Sequence, residues 1–139
     1  SSGFMEQDKS KCDAIADKAT SLLNKADSLS PNNSEISCVK SMIAICHLLV
    51  NPMQRYMEYG MASETALQDA MKQDDSNPRP YYLKGQTIKN TPEQFGGGCK
   101  AASDILNIAL QKYASFKPVS DLYPNWGLQR TKQILDECK

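Results

Sequence analysis

Few residues in this chain occupy positions from which side chains do chemistry. Cys46 and His47 are sequence neighbours. On a helix they point about 100° apart, outside the hydrogen-bond reach that a nucleophile and its base need. His47 is therefore read as a packing residue, no catalytic residue is assigned, and the chain is expected not to be an enzyme. Asp74 and Asp75 fall in a polar stretch and read as a solvated helix end. The five cysteines, Cys12, Cys38, Cys46, Cys99 and Cys138, show no CxxC or finger spacing, so no metal site is expected. Cys38 and Cys46 are about 12 Å apart along one helix and cannot bridge each other. The odd number leaves at least one thiol unpaired, and pairing of the others stays open.

Binding chemistry is better represented. Gly96, Gly97 and Gly98 precede a helix, with Lys100 close by, an arrangement that offers backbone donors to an anion. It is no P-loop, because Cys99-Lys100-Ala101 stands where Gly-Lys-Ser/Thr would be required. Arg55, Arg79, Tyr81, Tyr82, Phe95 and Trp126 are of the types that dominate recognition surfaces. Base stacking would need a basic track beside them, and none exists, so nucleic acid is not an expected partner. No cofactor motif is present, and none is expected.

The elements that position these residues follow from periodicity. Among 139 residues the longest apolar run, Met42 to Val50, is interrupted by His47 and is far too short for a membrane span. Residues 1–5 show neither a charged start nor an apolar core, so no secretory signal is visible there, and they are left out of the fold argument. Residues 1–75 carry seven basic and eleven acidic side chains, and residues 76–139 nine and five. Ordinary solvated helix faces are the first reading of this asymmetry, with steering of a partner or head-to-tail contact between copies, as in a homodimer, as the alternatives.

Cys12, Ile15, Ala19, Leu22, Ala26 and Leu29 recur at helical spacing and predict a first helix, ended by Ser30-Pro31. Ser34 is expected to cap a second, whose large apolar residues Ile36, Val39, Ile43, Cys46 and Val50 form a seam. Its second half is apolar over most of its circumference, which predicts a central helix contacted on more than one side. Asn51-Pro52 opens a third, with Gly60 inside it implying a close backbone approach or a break. Asn77-Pro78 opens a short fourth, Cys99 to Phe116 form a fifth, and residues 124–138 form a sixth. No segment reads as a strand.

One pattern occurs three times: small, then large apolar four later, then Ala three later. The copies are Ala19, Leu23, Ala26; Ser63, Leu67, Ala70; and Ala102, Leu106, Ala109. With Pro31 five residues after Ala26, this resembles the tetratricopeptide-repeat family. The stretches 77–83, 91–98 and 124–127 are similar to small tetratricopeptide-like proteins of Bacteroidetes-type bacteria. The resemblance implies a single all-α domain over 1–139: a right-handed α-solenoid of about six helices with a C-terminal capping helix. It also implies export to the periplasm. The expected function is a non-enzymatic adaptor holding a protein or peptide. The alternative is a small-ligand or anion-binding protein that uses the loop at 96–98.

Overall fold

The computed structural model describes residues 2–116 and 126–139, with side chains from residue 11 onward. All regular structure among them is helical, as expected. The helices cluster into two compact units, Ser1–Gln73 and Asp74–Lys139.

The first unit holds α1 (Ser2–Leu29), α2 (Ser34–Val50) and α3 (Pro52–Gln73), and α2 touches both of the others. The cap of α2 is Asn33, one residue earlier than expected. Its side-chain oxygen accepts from the N–H groups of Glu35 and Ile36 at 2.9 and 3.4 Å. Asn caps at least as well as Ser, which frees the Ser34 hydroxyl to donate to the Ala70 carbonyl on α3 at 2.8 Å.

The predicted seams are turned. Burial on α2 belongs to Ser34, Ser37, Cys38, Ser41, Ala44 and His47, while Val39, Met42 and Leu49 are exposed. Small residues let helix axes approach closely. Their hydroxyls are satisfied across the gap: Ser37 meets Gln73 Oε1 at 2.6 Å, and Ser41 meets Ser63 at 2.7 Å. On α1 the buried residue is Ala16, whereas Ile15 and Leu22 are 69% and 60% exposed. Of the three repeated patterns, those around Leu67 and Leu106 are buried, and Ala19, Leu23 and Ala26 are only half-buried.

The second unit holds α4 (Arg79–Asn90), a 3-10 turn (Glu93–Phe95), α5 (Cys99–Ser115) and α6 (Leu128–Glu137). Asn77 opens α4 by accepting from the Arg79 N–H at 3.0 Å. Gly85 is needed where α4 crosses α5, because a Cβ there would run into Leu106. Cys99 and Cys138 form a disulfide, Cα to Cα 5.2 Å, that joins the start of α5 to the end of α6. Cys12, Cys38 and Cys46 are in no disulfide; Cys12 and Cys46 are exposed and Cys38 is buried. Pro124 and Asn125, expected to open the capping helix, lie outside the described residues.

Gly60 marks neither a close approach nor a break: α3 runs through it, and an added Cβ would meet nothing within 4 Å. Gly60→Ala is therefore expected to raise stability by about 1 kcal/mol, read from urea unfolding. Replacing both Cys99 and Cys138 by Ser releases a 39-residue closed loop and should lower stability by about 2–4 kcal/mol, read the same way.

Candidate functional site

The three helices of the first unit are tied together by one carboxylate. Asp13 on α1 accepts two parallel bonds from Arg55 on α3, Nη1 to Oδ1 at 2.9 Å and Nη2 to Oδ2 at 3.1 Å. It also accepts from His47 on α2, Nδ1 to Oδ1 at 2.8 Å. An ionised carboxylate only accepts, so His47 carries its proton on Nδ1 in this contact. Arg55 Nη1 also donates to the His47 carbonyl at 3.0 Å. Tyr59 stacks on the imidazole, with centroids 4.9 Å apart. The Arg55 guanidinium, together with His47, holds the Asp13 carboxyl below its usual range.

Beside this clamp lies a shallow cleft of about 310 Å³, lined among others by Asp17, Asn24, Lys40, His47 and Tyr59. His47 Nε2 stands 3.6 Å from Asp17 Oδ1. Leu23, Ile43, Ala44 and Ala62 also line it, so the cleft is largely apolar inside, with the paired charges at its edge.

The opposite side carries larger apolar side chains that stand exposed. At about 100° per residue, Ala19, Ala26, Ile15 and Leu22 fall on the flank of α1 away from Asp17 and Asn24. Val39, Met42, Cys46 and Leu49 fall on the side of α2 away from its buried row. Met53, Met57 and Gly60 fall on the flank of α3 away from Tyr59 and Ala62. Of these, Ile15, Leu22, Val39, Met42, Leu49, Met53 and Met57 are exposed, Leu49 at 63% and Met53 at 89%, with Tyr56 and Met61 at the edge. A sulfur-rich apolar surface of this extent, on which Glu35 and Glu64 are the half-buried acidic residues, is the mark of a binding face.

The residues singled out from sequence sit elsewhere. Arg55 is held by Asp13 in the first unit, and the others lie in the second. Arg79 is buried, with its guanidinium 5.3 Å from the Phe116 ring centre and 5.1 Å from that of Trp126. Tyr82 is buried with its edge on Trp126, and the Tyr113 hydroxyl donates to the Trp126 carbonyl at 2.7 Å. Tyr81 donates to Asp75 Oδ1 at 2.6 Å under the Lys112 ammonium. Burial, reinforced by that carboxylate, pushes its phenol up to about 12. Phe95 is 73% exposed. The Gly-rich loop does not present free donors: Gly96 N–H goes to Glu93 O, Gly97 N–H to Pro92 O, and Gly98 N–H to Ile88 O. Its glycines answer to conformation instead. Gly96 and Gly98 have φ of +86° and +95°, and a Cβ on Gly97 would strike the Thr91 carbonyl.

Sequence reasoning did not single out Val39, Met42, Cys46, Leu49 and Met57 as an exposed face. The available signal was the all-round apolarity of the second half of α2, which exceeds what a core contact needs.

The described residues define an all-helical protein whose first unit carries an open apolar surface. No protein-family model and no curated protein sequence matches the chain. Among solved structures it is similar to the HusA haemophore from Porphyromonas gingivalis, with a TM-score of 0.84 and 38% sequence identity over 97% of this chain and 67% of that one. The chain belongs to the family of that haemophore. This kinship corrects the expected protein- or peptide-binding adaptor, since the relative is named for carrying haem and not for holding a peptide.

The clamp has a pH signature. A carboxyl depressed in the folded state stabilises the fold above its unfolded pKa, and that contribution is lost as pH falls through the folded value. Thermal melts of wild type are therefore expected to lose stability below about pH 4. Asp13→Asn should be less stable near neutral pH and show a shallower acid loss, measured by helical circular dichroism.

Proposed function

We propose that this chain is a non-enzymatic haem-binding protein and that the apolar face of its first unit receives the macrocycle. The observation that carries the reading is the 38% identity to a haemophore across nearly the whole chain. The face supports it on chemical grounds. Haem is a broad, flat apolar disc, and Val39, Met42, Leu49, Met53 and Met57 offer exposed apolar area, each Å² removed from water being worth about 25 cal/mol. Its iron accepts thioether, thiolate and phenolate ligands, types that the Met residues, Cys46 and Tyr56 supply. Gly60, without a side chain, leaves a low spot between them.

Small-ligand binding was the alternative drawn from the sequence, but there it rested on the loop at 96–98, whose amides are committed to carbonyls. Export fits the same reading: the Cys99–Cys138 disulfide suits an oxidising compartment, and no described helix is long and apolar enough to cross a membrane. The paired burial around Leu67 and Leu106 supports tetratricopeptide-like helix pairs as the repeated unit.

Titration with hemin, followed in the Soret band, tests this. Wild type should saturate, and the double variant Met42→Glu, Leu49→Glu should bind about tenfold or more weakly, since two carboxylates would have to be desolvated under the disc. Both residues are exposed, so the variant's far-ultraviolet dichroism should match wild type. A wild-type titration without saturation, or equal affinity in the variant, contradicts the assignment.

A further inference from the structure

The α1 border of the apolar face is basic. Lys11, Lys18 and Lys25 repeat every seven residues on α1, and all are exposed. They interleave with the exposed side chains Ile15, Leu22 and Leu29. Lys11 precedes Ile15 by four, Lys18 lies three after Ile15 and four before Leu22, and Lys25 lies three after Leu22 and four before Leu29. These are the spacings at which helix side chains are neighbours, so each ammonium stands beside apolar surface, with successive lysines about 10 Å apart along the axis.

The carboxylates of the same stretch are turned away and engaged. Asp13 is held by Arg55 and His47, Asp27 pairs with Lys40 at 2.7 Å, and Asp17 faces His47. Among the described residues, no carboxylate lies within ion-pair distance of Lys11, Lys18 or Lys25. From Lys11 to Leu29 acids and bases are thus segregated: the acids face the rest of the unit and the bases border its open face. A second copy laid antiparallel along this stripe would set lysines against lysines, which disfavours self-association there.

We propose that Lys11, Lys18 and Lys25 form the edge that reads the carboxylates of the bound macrocycle, steering it onto the face and fixing which rim points outward. The proposal rests on the haem-binding reading and adds a determinant of specificity to it: the ligand class is a planar apolar molecule with acidic substituents on one edge. Flexible lysine arms suit this role, because each keeps its stem on apolar surface and its charge in water, and attraction to an anion speeds encounter most at low salt.

The test uses the whole chain with Lys11, Lys18 and Lys25 all changed to Gln. A control carries Lys72→Gln, Lys100→Gln and Lys132→Gln, exposed positions elsewhere that give the same change in net charge. The probes are hemin, hemin dimethyl ester, whose carboxylates are blocked, and vesicles containing phosphatidylserine. Expected is about a tenfold loss of hemin affinity in the α1 variant, with a weaker salt dependence, and no difference between the variant and wild type for the ester. The control should bind hemin as wild type does. Equal loss for hemin and ester, equal loss in the control, or unchanged hemin affinity with loss only of vesicle binding each overturns the proposal. Failure of wild type to bind either porphyrin would instead remove the haem-binding reading itself.

Discussion

A single carboxylate sets the geometry of the first unit. Asp13 receives Arg55 in a two-pronged bond and His47 through Nδ1, so one residue on α1 orients a side chain on α2 and another on α3. Such charge-assisted bonds are short and directional, and they fix rotation as well as distance. Removing the carboxylate would leave a guanidinium and an imidazole facing each other without their common acceptor. Arg55, a recognition candidate from its type alone, is thereby an internal strut.

The clamp and the small-residue contact are two halves of one arrangement. Serines and alanines on α2 allow α3 to approach until hydroxyls meet, as between Ser41 and Ser63. A helix that buries its small residues must turn its large ones elsewhere. Val39, Met42 and Leu49 are consequently exposed, and the side of the unit away from the cleft becomes apolar. The apolar face thus follows from how the core is built, and the core stays narrow because it relies on hydrogen bonds between close helices as much as on bulky packing.

This explains which features were legible in the sequence. Helix starts and stops were readable because Pro31, Pro52 and Pro78 act locally on the backbone. The central place of α2 followed from its all-round apolarity, and it does touch both neighbours. The orientation of its seam was not readable: the usual rule sends Ile and Val inward, and here Ser37, Ser41 and His47 go inward. That choice depends on partners 22 to 36 residues away, which periodicity cannot see. The same limit applied to Arg79, Tyr82 and Trp126. Their types signal recognition, yet in the second unit they pack on one another, with Phe116 completing the stack around the guanidinium. The disulfide was equally invisible, since thirty-nine residues separate Cys99 from Cys138.

The two units therefore use aromatic and charged residues in opposite ways. In the second, Arg79, Tyr82 and Tyr113 are drawn inside, the Tyr81 phenol is tied to Asp75, and a covalent bridge closes the chain between α5 and α6. In the first, charge gathers around Asp13 and along the border at Lys11, Lys18 and Lys25, while sulfur and aliphatic groups stay open. A soft, apolar surface can accept a large flat ligand in more than one pose, and the basic border distinguishes one rim of that ligand from another. Capture and orientation then have separate physical origins, area for the first and charge for the second, and a change in one need not disturb the other.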